Sequence, residues 1–123
     1  MSYNWEEFLA LAEHLRNHVS DSFSRETCYR AGTSRAYYAA FNVARLQAEA
    51  DGFISTEEGE DHKRLRQFYE HAGQIDIATA LNRLRLWRNQ ADYDDDVTNG
   101  LLLITESCKR ARGVILKLRP PAA

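Results

Sequence analysis

The sequence predicts an all-α protein, a single domain built as a bundle of about five helices. Apolar residues recur every three or four positions along most of the chain, as they do on the buried face of a helix. No segment alternates apolar and polar residues in the way that a half-buried strand does. The chain has 123 residues, of which only 2 are proline, so its length suits one domain with few interruptions.

The first helix is predicted from an apolar stripe near the N-terminus. Asn4 can cap this helix, because an asparagine side chain accepts a hydrogen bond from a free backbone N–H, and Glu7 completes a capping-box-like pair. The polar run from Ser20 to Ser24 interrupts the pattern. The stripe consists of Trp5, Phe8, Ala12, Leu15 and Val19.

A long second helix is predicted from about Arg25 to Asp51, with Gly52 at the position where glycine commonly ends a helix. Its apolar residues form two stripes, so we expect neighbours on two sides and a place at the bundle centre or in a subunit interface. The apolar arc is wider than one small bundle easily covers, which predicts a symmetric dimer. The stripes contain Ala31, Ser34, Tyr37, Tyr38, Phe41, Ala44 and Ala48.

The third helix is expected to begin at a capping box, in which a serine side chain and a glutamate three residues later satisfy each other's free backbone N–H groups. Ser55 and Glu58 have this spacing. The helix would run to His71 or Ala72, and Gly73 would end it.

The fourth and fifth helices are separated by an acidic stretch. Asp76 is expected to cap the fourth helix, and the carboxylates of Asp92 to Asp96 to begin the fifth, where negative charge complements the helix dipole. The fifth helix should end at Arg119, so residues 1–119 form the bundle and residues 120–123 a short disordered tail. The apolar positions are Ile77, Ala80, Leu81, Leu84 and Trp87, then Leu103, Ser107, Ala111, Val114 and Leu118.

The composition, 44% hydrophobic and 28% charged, is typical of a globular chain and not of a disordered one. The longest aliphatic run, Leu101 to Ile104, is too short to cross a membrane, and the N-terminus lacks the pattern of a signal peptide. Cys28 and Cys108 have neither metal-binding spacing nor the density of a disulfide scaffold. We therefore expect a cytoplasmic protein that does not contact a membrane.

The four histidines do not predict a metal site. His14 and His18 lie four residues apart, as two ligands on a helix would, but no third ligand accompanies them. His62 lacks the Glu-x-x-His spacing that builds di-iron bundles. We predict neither a metal nor a cofactor.

Arginine supplies 13 of the 16 basic residues. Its planar guanidinium suits phosphate recognition, although gene base composition or salt bridges within the chain account for the excess equally well. The net charge of −2 does not favour the broad basic surface that nucleic-acid-binding domains usually carry, so any anion site must be local. The run from Arg83 to Tyr93 is the best candidate, with an Arg88–Asp92 ion pair as its structural alternative.

The order of these features resembles the HEPN family of small helical proteins (higher eukaryotes and prokaryotes nucleotide-binding). The likeness rests on Ser-Arg-Ala-Tyr-Tyr-Ala-Ala-Phe at residues 34–41, on His62, and on Arg-Asn-Gln-Ala-Asp-Tyr at residues 88–93. It implies a toxin–antitoxin or defence component, and many members are metal-independent endoribonucleases. Two protomers would face one cleft, and the partners would be RNA and a nucleotidyltransferase antitoxin.

The resemblance implies roles for single residues. Arg88 would hold the scissile phosphate and Asn89 would orient it, but Tyr93 stands where the ribonucleases carry histidine. A phenol with a pKa of about 10 is a poor base at neutral pH, so Tyr93 would act as a hydrogen-bond donor or general acid. Arg35 and Arg85 would contribute further RNA or phosphate contacts, although an intramolecular salt bridge is an equal alternative for Arg35. The loss of histidine favours a second hypothesis, a non-catalytic module that binds a nucleotidyltransferase, nucleotide or RNA.

Overall fold

A computed structural model describes residues 3–17 and 22–119 of the chain. Within these ranges the protein consists of five helices and contains no strand, which confirms the predicted fold class. Val19 and His18, and the predicted tail at residues 120–123, lie outside the described residues. The helices are α1 (Glu6–Asn17), α2 (Arg25–Ala50), α3 (Asp61–His71), α4 (Ile75–Tyr93) and α5 (Gly100–Leu118).

Helix α2 is the centre of the bundle and packs against all four other helices. Its buried face carries small side chains, which let the neighbouring helices approach closely. Gly32 is one such position, because a Cβ there would overlap with the side chain of Ile104 on α5. Most of the wide apolar arc of α2 is therefore covered within one chain, but Ala31 is exposed and Tyr38 is only partly buried. The buried alanines are Ala36, Ala39, Ala40, Ala44 and Ala48.

Three helix ends agree with the sequence. The backbone N–H of Glu6 donates to the side chain of Asn4 over 3.2 Å at the start of α1. Gly52 follows the C-cap of α2 with φ of 105°, and Gly73 follows that of α3 with φ of 78°. Both angles lie in the left-handed region that glycine adopts without steric cost.

The predicted start of α3 is wrong. The helix begins at Asp61, six residues after Ser55, whose hydroxyl instead donates to Glu49 of α2 over 2.6 Å. Asp61 collects the donors of the preceding loop, because its carboxylate accepts from the backbone N–H groups of Thr56 and Glu57 and from the Thr56 hydroxyl. This buried carboxylate organises the loop and leaves His62 in the first turn of α3.

The start of α4 is also displaced from its prediction. Gln74 is the N-cap of α4, and Asp76 lies inside the first turn, where its carboxylate pairs with Lys117 of α5. The bond to Lys117 is the largest of the causes that lower the pKa of Asp76. Negative charge in the first turn of α4 is favourable, but it does not mark the boundary.

The acidic stretch does not begin α5, contrary to expectation. Helix α4 continues to Tyr93, and Asn99 caps α5 by accepting from the backbone N–H of Leu102 over 3.0 Å. Arg30 of α2 explains the difference, since it donates to the backbone carbonyl oxygens at the end of α4. A cation at this helix end offsets the negative end of the dipole, so the carboxylates that follow remain in a loop.

None of the described helices is both long enough and apolar enough to cross a membrane. Cys28 and Cys108 are buried and free. Burial raises the pKa of the Cys108 thiol to about 11, which keeps it protonated at neutral pH.

Candidate phosphate-binding site

His62 is held between the first turn of α3 and the aromatic face of α2. Its ring stacks on Phe41 with centroids 4.3 Å apart and planes inclined by 19°. The Tyr37 ring lies 5.6 Å from it at 17°, and the Tyr37 hydroxyl forms a hydrogen bond with Nδ1 of His62. Tyr37 is only 1% exposed, so the imidazole has a fixed position.

Arg88 of α4 approaches the same aromatic residues. Its guanidinium carbon lies 5.4 Å from the centre of the Tyr37 ring and 5.6 Å from that of Tyr38, distances at which cation–π attraction operates. The expected Arg88–Asp92 pair is present but long, with 3.9 Å between Nη1 and Oδ2. That carboxylate oxygen already accepts from the Ser34 hydroxyl over 3.3 Å. Among the described residues Arg88 forms no hydrogen bond, and its Nε is buried without a partner.

Two further arginines complete what we call the guanidinium cluster, Arg66, Arg85 and Arg88. Arg66 of α3 donates to the backbone carbonyl of His62 over 3.2 Å, and Arg85 of α4 donates to the side chain of Asn82 over 3.0 Å. Burial and the charge of Arg85 lower the pKa of Arg66. The Nε of Arg85 is buried without a partner in the described part of the chain. The cluster thus brings three positive charges together, and most of its N–H donors form no hydrogen bond with the described residues.

The cluster also changes the acid–base properties of its neighbours. Burial, and then the charges of Arg88, Arg66 and Arg85, lower the pKa of His62, whereas the charge of Asp61 raises it slightly. His62 is therefore neutral at pH 7. Burial raises the pKa of Tyr37 despite the opposing effect of Arg88, so its hydroxyl stays protonated.

Arg35 lies next to this site on α2. Its guanidinium carbon is 5.1 Å from the Phe8 ring centre and 5.4 Å from that of Tyr38, and it donates to Ser34 over 3.3 Å. The Arg35 guanidinium thus stacks on neighbouring aromatic side chains. The side chain of Tyr38 therefore contacts two guanidinium groups.

Tyr93 lies on another face of α4. Five residues correspond to about 140° around a helix, so Tyr93 points well away from Arg88, and it is 73% exposed. Asn89 is partly exposed and lies between the faces that carry Arg85 and Tyr93. The structure thus brings Arg85 and Arg88 together, leaves Arg35 beside them, and separates Tyr93 from them within one protomer.

Sequence reasoning missed His62 and Arg66 as members of this site. Both lie on α3, more than 15 residues before the arginines of α4, so no local spacing joins them. The signal that could have identified His62 was its position in the order of features that resembles the HEPN family, where no role was attached to it.

The donor set of this site suits an anion. No group of three or more His, Cys, Asp or Glu side chains that could hold a metal ion occurs in residues 3–17 and 22–119. Two carboxylates near the cluster are already engaged, Asp92 by Ser34 and Asp61 by its loop and Arg64. A phosphate group would find unused N–H donors, positive charge and a partly dehydrated surface here.

In comparisons with protein families, curated proteins and solved structures, no family model, curated protein or solved structure matches this chain.

Proposed function

We propose that the protein is a HEPN-like, metal-independent endoribonuclease that binds the phosphate of RNA through Arg88. The observation that carries this proposal is the state of the Arg88 side chain. It is held on two tyrosine rings, is only 14% exposed, and has no hydrogen bond to the described residues. An arginine with fixed position and unused donors is prepared for an incoming oxyanion, and phosphate matches its geometry.

In the proposed reaction, the ribose 2′-oxygen attacks the adjacent phosphorus and the bond from phosphorus to the 5′-oxygen breaks. One proton leaves the 2′-hydroxyl and one arrives on the released 5′-oxygen, giving a 2′,3′-cyclic phosphate and a 5′-hydroxyl. Arg88 stabilises the charge that grows on the phosphoryl oxygens. Removal of one such donor from an active site typically lowers the rate by about 10²–10³-fold.

The exposed face of α4 supports a composite site in a homodimer. Leu86 is 43% and Tyr93 73% exposed, and residues seven positions apart share a helix face. Pairing of two α4 helices along this face would bury Leu86 and Tyr93. Arg85 and Asn89 lie beside this face, so the pairing would also bring these residues of the two protomers close together. Tyr93 would then face the partner's cleft, where its hydroxyl could donate to the leaving oxygen.

The resemblance supports a cellular role for this activity. The protein would act as the toxin of a toxin–antitoxin or defence system, with a small nucleotidyltransferase as its antitoxin. A tyrosine that some such partners modify lies two positions after the family histidine, where this chain has Asp95. Restraint would therefore depend on binding, or on modification of the exposed Tyr93.

The test is RNA cleavage in the presence of EDTA by the wild type, Arg88→Ala and Arg83→Ala. Arg83 is the matched control, because it is an exposed arginine on the opposite side of α4. We expect cleavage by the wild type and Arg83→Ala and a loss of at least 100-fold in Arg88→Ala. Equal activity of Arg88→Ala and the wild type would contradict the proposal.

A second candidate function is a non-catalytic module that binds a nucleotidyltransferase, nucleotide or RNA. The separation of Tyr93 from Arg88 on α4 favours it, because one protomer then lacks the family's proton-transfer group beside its arginine. Absence of cleavage at micromolar protein, together with RNA or partner binding that depends on Arg88, would favour this candidate.

A further inference from the structure

We propose that the guanidinium cluster and His62 form a site for a doubly charged phosphate group, a phosphomonoester, and that binding of this group adds a proton to His62. This inference deepens the proposed function, since it concerns the same Arg88 surface. It does not require that the protein cleaves RNA.

Most N–H donors of the guanidinium cluster are unused. The three guanidinium groups of the cluster carry about fifteen N–H donors in all. Within the described chain they make two hydrogen bonds, from Arg66 to the His62 carbonyl and from Arg85 to Asn82. Two of the unused N–H groups, the Nε atoms of Arg85 and Arg88, are buried. Because buried donors without partners are costly, a ligand with several acceptor oxygens is the natural complement of this surface.

The positive charge of the guanidinium cluster is poorly compensated. Arg66, Arg85 and Arg88 come from two helices and act on one another and on His62. The carboxylates around them are weak counter-charges: Asp92 lies 3.9 Å from Arg88 and is shared with Ser34. Asp61 is committed to its loop, and Glu70 is the last of the influences on Arg66, whose pKa stays lowered. A phosphomonoester carries a charge of about −1.5 to −2 at pH 7, so it neutralises this cluster better than a singly charged diester.

The tautomer of His62 depends on its hydrogen bond with Tyr37. The buried Tyr37 hydroxyl keeps its proton and has Nδ1 of His62 as its partner. When Tyr37 donates to Nδ1, the proton of the neutral imidazole must lie on Nε2. The described residues form no other hydrogen bond with this ring. In this tautomer His62 presents one more N–H donor beside the cluster, and it lacks a free acceptor that would repel a phosphate oxygen.

Proton uptake follows from the same contacts. Burial, and then the positive charges of Arg88, Arg66 and Arg85, disfavour a charged imidazole in the free protein. A bound dianion cancels these charges and places negative charge beside the ring, so protonation of His62 becomes favourable. Tyr37 can then turn its hydroxyl to accept from Nδ1, while Nε2 donates to the ligand.

The experiment compares methyl phosphate with dimethyl phosphate, two probes that differ in charge and that the protein cannot cleave as RNA. Binding is measured by NMR titration at pH 7.5 with the wild type, Arg66→Gln, Arg85→Gln and the control Arg83→Ala. We expect methyl phosphate to bind the wild type and Arg83→Ala at least tenfold more tightly than dimethyl phosphate. The preference should shrink in both cluster variants.

The second readout is the pKa of His62, followed through its ring proton signals with and without methyl phosphate. We expect this pKa to rise on binding in the wild type and to rise less in Arg85→Gln. Circular dichroism confirms that each variant is folded. Equal affinity for the two probes, or an unchanged His62 pKa in the bound state, would overturn the inference.

Two oligonucleotide arms identify the source of the phosphomonoester. Deoxyribose oligonucleotides, which lack the attacking 2′-hydroxyl, are prepared with a 5′-phosphate, with a 3′-phosphate or with neither. Tighter binding of either phosphorylated form supports the inference and identifies the preferred terminus, whereas equal binding of all three contradicts it. Cleavage of RNA without a methyl phosphate preference would overturn this inference alone, and the reverse pattern would overturn the proposed nuclease alone.

Discussion

Arg45 of α2 and the guanidinium cluster of α3 and α4 behave in opposite ways. In what we call the paired network, Asn42, Arg45, Glu49 and Ser55, the Arg45 guanidinium donates twice to Asn42 and once to Glu49. Glu49 also accepts from Ser55, so every side chain of this network has a hydrogen-bond partner within it. The guanidinium cluster instead holds three like charges, and among the described residues its only ion pair, Arg88 to Asp92, spans 3.9 Å.

The difference shows where stability and function are separated in this protein. A network with its donors and charges satisfied stabilises the junction of α2 with the loop before α3. A cluster of like charges weakens the fold locally, and such arrangements are typical of sites that meet an oppositely charged ligand.

The largest effect is expected from Arg88→Glu, which puts a carboxylate into the guanidinium cluster. Repulsion of the substrate phosphate should lower RNA cleavage by at least 100-fold, equivalent to about 2.7 kcal/mol of transition-state stabilisation. The measurement is the rate of RNA cleavage in EDTA. Arg45→Gln, in the paired network, should cleave at the wild-type rate, and a similar loss in both variants would remove the distinction.

A smaller effect of opposite kind is expected for the stability of Arg45→Gln. This change removes a partly exposed ion pair and two hydrogen bonds to Asn42, so the free energy of unfolding should fall by about 1 kcal/mol. Urea denaturation followed by circular dichroism measures this value. An unchanged midpoint would show that the paired network contributes no stability.

We expect Arg85→Gln to raise the free energy of unfolding, whereas Arg45→Gln lowers it. Removing one of three neighbouring positive charges relieves repulsion with Arg66 and Arg88, and the lost hydrogen bond to Asn82 is partly exposed. We expect the free energy of unfolding to rise by about 0.5 kcal/mol in urea denaturation at low salt, and the gain to shrink in high salt. Destabilisation of this variant by as much as Arg45→Gln would contradict the contrast.

The smallest effect is expected in the pH dependence of stability. The pKa of His62 is lowered in the folded protein, so below its unfolded value near 6.5 the unfolded chain binds a proton more readily than the folded one. His62 therefore costs stability as the pH falls from 7 towards 5. His62→Gln should lose less stability than the wild type over this interval, and parallel curves would contradict the lowered pKa.

The sequence predicted the helices well because helical periodicity is a local property. The positions of Gly52 and Gly73 also identified the ends of α2 and α3, since each adopts a positive φ. The starts of α3 and α5 were mispredicted for tertiary reasons. The Ser55 hydroxyl donates to Glu49 of α2, and Arg30 of α2 donates to the backbone carbonyl of Asp94 after α4. Neither hydrogen bond follows from the local sequence around the helix start.

The candidate site was only half visible in the sequence. Arg85 and Arg88 lie one helical turn apart on α4, so their proximity follows from spacing alone. His62 and Arg66 join them through the packing of α3 beside α4 and α2. Tyr37, Tyr38 and Phe41 were expected in the core or in a dimer interface. Tyr37 and Phe41 are buried, and their rings also form the surface on which His62 stacks.

The sequence by itself determined an all-α chain, a central α2 rich in small residues, and an arginine-rich fourth helix. These properties depend on residue type and periodicity along one helix. Arg45 is neutralised by Glu49 one helical turn later, and this pair follows from local spacing on α2. Only the tertiary structure decided that Arg66, Arg85 and Arg88 lie together around His62 without a close counter-charge, because that arrangement depends on neighbours from different helices.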